Sequence, residues 1–248
     1  MHRKLKWRLE STGSEIVSED DLVLVLNKPH GLLVLPDRFR HELPNLYGIL
    51  QEELGKIFVV HGIDKETSGI IVFAKTAEAH AAMSAQFEKK LMGLTYSGIA
   101  LGAPAAEEGE INLPIEEIPR NPGVMRVTRK SGKEAITKYK VVERFQGYSF
   151  LELTPKTGRM HQIRVHLKSL GAPLIADKLY GDGRGFFLSD IKHGYKSTGD
   201  EKPLLDRTAL HASVISLMHP QTGEHVSFSA ALPKDMVSVL RYLRKFKA

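Results

Sequence analysis

Apolar residues along this chain fall into short β-branched runs separated by Gly, Pro and charged clusters, with a few stretches of helical period between them. Residues 22–26 form one such run and lead into Asn27-Lys28-Pro29-His30-Gly31, which reads as a strand entering a loop. Residues 57–60 and 70–74 are rich in Ile, Val and Phe and read as short buried strands. They flank the polar segment His61-Gly62-Ile63-Asp64-Lys65-Glu66-Thr67-Ser68-Gly69, so Asp64 is expected in a turn at the end of a rigid element. Over residues 76–92, Ala79, Met83, Phe87 and Leu91 recur every fourth position behind Thr76, an N-cap type, with Glu78 in the first turn. This spacing predicts a helix.

Residues 96–101, 124–128, 136–142 and 148–154 predict successive strands. Strand runs without regular intervening helices predict an α+β fold with a mixed, mostly antiparallel sheet. A helix is expected over residues 160–170, stopped by Gly171 and Pro173, with His161, Arg164 and Lys168 on one face. Residues 180–207 are rich in Gly, Lys, Asp and Ser, with Phe186, Phe187 and Tyr195 interspersed, and read as a long excursion that orders on RNA. Two strands, 210–217 and 225–231, joined through His219-Pro220-Gln221-Thr222-Gly223, precede a last helix carrying Met236, Leu240, Leu243 and Phe246 on one face. Residues 1–20 read as a short polar lead to one catalytic domain over 21–248, and no repeat or interdomain linker is visible.

Composition narrows the function classes. The chain has 248 residues, 42% of them hydrophobic, which is enough for a substantial core. A net charge of +6 favours a polyanionic partner without requiring one. The absence of cysteine excludes disulfides, thiolate nucleophiles and thiolate-held zinc, and fits a cytoplasmic location. Neither a signal peptide nor a membrane span is legible.

Asp64 is the first candidate for chemistry. A carboxylate that attacks an electrophile must stay ionised, and burial alone would raise its pKa, so it requires a cation. Arg164 is the best candidate on sequence grounds: it lies between Ile163 and Leu167 on the inner face of its helix, and a buried guanidinium demands a carboxylate. The plainer alternative is that Asp64 only caps a turn. Gly158-Arg159 before a helix start could hold a phosphate or be an ordinary turn. Tyr96 is either a core aromatic with its hydroxyl at the surface or a ring placed against a base. His161 and His166 are five apart, on different helix faces, so they make no metal site; the glycines at 181, 183 and 185 lack the context of a nucleotide loop.

Taken in order, Asn27-Lys28-Pro29-His30-Gly31-Leu32, the segment from His61 to Gly69, and Thr157-Gly158-Arg159-Met160-His161-Gln162-Ile163-Arg164-Val165-His166-Leu167 resemble the motifs of RluA-type RNA pseudouridine synthases. Asp177-Lys178-Leu179-Tyr180-Gly181 and Leu210-His211-Ala212, continuing to His219 and Glu224, resemble the later signatures of the same family. The resemblance implies the pseudouridine synthase fold, with two sheet halves, flanking helices and a central cleft. It implies isomerisation of uridine in structured RNA, ribosomal before transfer RNA, with no metal, nucleotide or redox cofactor, by a monomer. Asp64 would be the catalytic aspartate, Arg164 its ion-pair partner and Tyr96 the ring against the target base. Lys28, His61, Thr67, Arg159, His161 and Gln162 would contact the RNA. Asp64 would attack C1′ or C6, or abstract a ribose proton, after the target base leaves its stack.

The chain departs from the family pattern in two places. Gly62 and Ile63 stand where the family has arginine and leucine, and Leu94 where it has lysine, two residues before the tyrosine. The arginine helps hold RNA whose base has been flipped out. The small S4 RNA-binding domain of many relatives is also not legible, which leaves substrate choice to the catalytic domain. The competing reading is a non-catalytic RNA-binding or ribosome-assembly protein of the same fold.

Overall fold

The computed structural model describes residues 3–37, 40–195, 199 and 201–248. In chain order its elements are α1 (Arg3–Ser11), β1 (Glu15–Glu19), β2 (Val23–Lys28), α2 (Leu46–Leu54), β3 (Phe58–Val59), β4 (Ser68–Ala74), α3 (Ala77–Glu88), β5 (Gly93–Leu101), β6 (Glu108–Asn112), β7 (Ile115–Glu117) and β8 (Met125–Val127). There follow β9 (Ile136–Phe145), β10 (Tyr148–Pro155), α4 (Gln162–Ser169), a single 3-10 turn at Leu188–Asp190, β11 (Leu210–Met218), β12 (His225–Ser229) and α5 (Lys234–Phe246). The chain divides into two compact units where one domain is expected: Met1–Thr95 with Ala212–Ala231, and Tyr96–His211 with Leu232–Ala248. Two of the three crossings between the units fall inside β5 and β11, and the third lies in the short connection between β12 and α5.

In the first unit β1, β2 and β4 pair antiparallel, β3 joins the last two residues of β4, and β11 carries β12 antiparallel. The run 68–74 is buried at every position, as an inner strand with two covered faces requires. Gly69 makes this possible: at φ +115° an added Cβ would stand 2.1 Å from the Ala212 carbonyl oxygen. The expected polar lead is instead a helix and an edge strand. Leu5 and Leu9, one turn apart, are fully buried with Leu24, Leu26, Leu46, Leu50 and Phe73, each worth about 1.5–3 kcal/mol of apolar burial. Helix α2 starts at Asn45, whose side chain accepts from the Gly48 amide at 2.8 Å. Helix α3 has its expected cap, Thr76 accepting from the Ala79 amide at 3.1 Å, but ends at Glu88. Lys90 turns left-handed (φ 58°) and Leu91 is exposed, so the fourth member of the apolar series lies beyond the helix.

In the second unit β5, β10, β9 and β6 pair antiparallel, and β7 and β8 form a separate two-stranded hairpin. Helix α4 spans eight residues, starting two later than expected because His161 is left-handed (φ 55°). The excursion over 180–207 is anchored to the core by buried side chains. Tyr180, Phe186, Ile191, Leu205 and Arg207 are buried, Phe186 meets the Tyr148 ring edge-on at 5.5 Å, and the Phe186 and Leu205 backbones bridge. Residues 196–198 and 200 of that excursion lie outside the described residues. Met236, Val239, Leu240 and Leu243 seat α5 on the same core, while Phe246 is half-buried and stacks on Tyr242.

Candidate active site

Asp64 lies half-buried in the turn between β3 and β4, its carbonyl accepting the Thr67 amide at 3.1 Å. The turn is pinned from the next loop. The Lys65 carbonyl accepts both the Gly31 amide at 2.8 Å and the Lys28 ammonium at 3.2 Å, and Lys28 also donates to the Pro29 and Leu32 carbonyls at 2.9 and 2.8 Å. Lys28 is fully buried. Its three N–H donors bind the loop after β2 to the peptide that follows Asp64. Thr67 is likewise buried.

His61 is buried beside β4. The Val72 amide donates to its Nε2 at 3.3 Å, so the ring proton sits on Nδ1, which lies toward the Gly62 carbonyl without reaching hydrogen-bond geometry. Burial, against the weaker pull of Gly62, pushes its pKa down to about 4, and Phe87 stacks on it at 6.2 Å. A neutral, enclosed imidazole is a packing element of the first unit. Gly62 beside it is exposed and an added Cβ would meet nothing within 4 Å, whereas Leu94 packs on the apolar cluster around Val72 and Met83.

In the second unit the expected shared face of α4 is present, and its focus is Tyr180. His161 Nδ1 lies 2.8 Å from the Tyr180 hydroxyl, the Arg164 guanidinium 4.9 Å from the ring centre and the Lys168 ammonium 5.8 Å from it. Arg164 is buried and meets Asp177 edge to edge, Nε to Oδ2 at 2.7 Å and Nη2 to Oδ1 at 2.8 Å. Burial would raise the Asp177 pKa. The Arg164 guanidinium and the Leu179 and Tyr180 amides outweigh it and hold the carboxyl below its ordinary range. The carboxylate that a buried Arg164 demands is thus supplied within the second unit by Asp177, a partner the sequence reading does not name.

Gln162 is buried, and all of its amide is used. Its Oε1 accepts from the Thr157 hydroxyl at 2.7 Å and the Arg159 amide at 3.1 Å; its Nε2 donates to the Ile136 carbonyl at 2.9 Å and to Thr137 at 3.0 Å. Thr137 continues to His166 Nδ1 at 2.9 Å, and His166 Nε2 reaches the Leu113 carbonyl at 2.9 Å. Gln162 therefore holds the turn before α4 onto β9. His166 and His161 point to different partners, as their spacing predicts. Arg159 is half-buried and donates through Nε to the Glu134 carbonyl at 2.9 Å. Tyr96 is buried in β5, where the second unit begins, opposite Leu153 of β10.

Comparison with known proteins identifies the class. The RNA pseudouridylate synthase family matches residues 22–169. The ribosomal large subunit pseudouridine synthase D of Neisseria meningitidis serogroup B is 39% identical over 240 residues, covering 95% of this chain and 62% of that protein. The uncharacterized RNA pseudouridine synthase YlyB of Bacillus subtilis is 36% identical over 249 residues, covering 95% of this chain and 75% of that protein. The chain therefore spans less than two thirds of the Neisseria relative. Among solved structures, human RNA Pseudouridylate Synthase Domain Containing 4 shares the fold, with a TM-score of 0.73, 24% identity and 98% of each chain covered. The chain belongs to the RNA pseudouridylate synthase family, in its RluA-type branch, and has the α+β pseudouridine synthase fold. No helix among the described residues is long and apolar enough to cross a membrane.

Proposed function

We propose that this protein isomerises uridine to pseudouridine in structured RNA, with ribosomal RNA as the substrate class and Asp64 as the carboxylate that starts the reaction. The observation that carries this is the Asp64 turn itself, clamped through Lys65 by Lys28 and Gly31 within a chain of this family. A half-buried carboxylate on a backbone fixed at two points is preorganised for attack, where a solvated surface acid is not. In this reading Tyr96 supplies a ring to the target base and Arg164 the fixed positive charge that the reaction needs.

The reaction is balanced by the substrate's own atoms. The C1′–N1 bond breaks and a C1′–C5 bond forms, the hydrogen at C5 leaves as a proton, and N1 gains one. No electrons are exchanged, so the reading calls for no redox partner. Ribosomal RNA is favoured because the Neisseria relative carries that substrate in its name. RNA phosphates would be gathered by cations such as the exposed Arg120, Arg129, Lys130 and Lys133 around the β7–β8 hairpin, where Arg126 is instead paired with Glu116 at 2.8 Å.

Tritium release from RNA labelled at uridine C5, measured on separate ribosomal and transfer RNA pools, tests the proposal. Release from the ribosomal pool is expected. Binding without release from either pool would leave an RNA-binding protein of the same fold.

A further inference from the structure

Asp177 and Tyr180 are three residues apart in one turn, and both touch the same guanidinium. The carboxylate takes the edge formed by Nε and Nη2, and the ring lies 4.9 Å from its centre. Each is itself fixed. The Leu179 and Tyr180 amides donate to Asp177 Oδ1 at 3.0 Å each, an Asx turn that sets the carboxylate's plane. The Tyr180 hydroxyl accepts the Met125 amide at 2.9 Å and lies 2.8 Å from His161 Nδ1, so the ring is tethered at its far end. The turn closes on Gly181, where an added Cβ would stand 2.8 Å from the Asp177 carbonyl oxygen and 2.9 Å from that of Leu174.

We propose that Asp177 and Tyr180 are positioning residues for Arg164, the carboxylate fixing one edge of the guanidinium and the ring its plane, so that the edge bearing Nη1 is presented to the reaction in one orientation. The inference rests on the reading that Arg164 serves isomerisation. An arginine side chain has many rotamers, and a bidentate carboxylate together with a ring centred 4.9 Å from its guanidinium carbon restricts them. Stability alone does not account for such a device, because a buried ion pair stabilises a fold no better than apolar residues of equal volume. Holding a charged group within a narrow angle is what a preorganised site requires.

The test is a cycle on the whole chain of Arg164→Lys, Asp177→Asn and both together, read as single-turnover rate, RNA Kd and melting temperature. Each single change is expected to slow turnover about 10²-fold with Kd within about threefold. The double variant should be no slower than Arg164→Lys alone, because Asp177 acts through Arg164. A folded Asp177→Asn chain at the wild-type rate, or effects that multiply, would overturn the positioning role while leaving Arg164 in place. An Arg164→Lys chain at the wild-type rate would overturn the Arg164 reading itself, and the positioning role with it. If Asp177→Asn does not fold, Tyr180→Leu, which leaves the Arg164–Asp177 pair intact, replaces it in the same cycle with the same expectations.

Discussion

Arg164 and Asp177 form a two-point ion pair with side chains 4% and 0% exposed, 13 positions apart in sequence, between helix α4 and the turn that follows it. Removing either partner leaves the other charge buried. Arg164→Ala and Asp177→Ala are each expected to lower unfolding free energy by about 3–5 kcal/mol, whereas the joint change Arg164→Met with Asp177→Leu should recover most of that loss. Urea denaturation of the three variants decides it, and near-wild-type midpoints for both single changes would refute the coupling.

Lys28 gives a sharper separation of structure from binding. Its ammonium serves three carbonyls and is fully buried, so Lys28→Met should cost about 2–4 kcal/mol by stranding backbone acceptors. RNA affinity of the folded variant should stay within about twofold, and its salt dependence should not change. A salt slope reduced by about 0.7–0.9 would instead show that Lys28 neutralises a phosphate.

His61 makes the fold acid-sensitive. Its pKa falls from an ordinary value of 6.5 in the unfolded chain to about 4 in the folded one, so between those values the unfolded chain binds a proton that the folded chain refuses. Stability is therefore flat above about pH 6.5 and declines as pH drops toward 4. From pH 7.5 to pH 5 the wild type should lose about 2 kcal/mol more than His61→Phe, compared by denaturant midpoints at the two pH values. Burial lowers the His166 pKa as well, so a residual slope in the variant is expected.

Gly62 stands where the family has arginine, and the position is open: the glycine is exposed, an added Cβ meets nothing within 4 Å, and its φ is not in the left-handed region. Gly62→Arg should therefore fold with stability within about 0.5 kcal/mol of wild type. It should tighten RNA binding, with a salt slope steeper by about 0.7–0.9. Unchanged affinity and slope would show that the lost arginine has no bearing on RNA here.

These residues show which features are legible in the sequence. The inner strands announce themselves because a strand covered on both faces, such as β4, is a continuous β-branched run. Helix α1 does not, because Leu5 and Leu9 alone among its described side chains are buried while Lys4, Lys6, Trp7 and Arg8 dominate the pattern. Helix α2 carries a usable signal, Asn45 followed by Leu46, Ile49, Leu50 and Leu54, which the strand-dominated reading passes over. In the site, ordered motifs single out Asp64 and Arg164. Asp177 becomes Arg164's partner only through the chain reversal after α4, which no local spacing encodes. Lys28 and Gln162 look like RNA contacts by residue type, but their hydrogen-bonding groups are committed to their own unit's backbone and side chains, a fact visible only in three dimensions.

In the proposed reaction Asp64 starts isomerisation, which is tested by comparing wild type with Asp64→Asn in single-turnover release of tritium from C5-labelled ribosomal RNA, with Kd measured in parallel. The amide keeps the side chain's size but is not a nucleophile. Release is expected from the wild type and none from the variant, with Kd equal within about threefold. Release by Asp64→Asn at a measurable rate would contradict this role of Asp64.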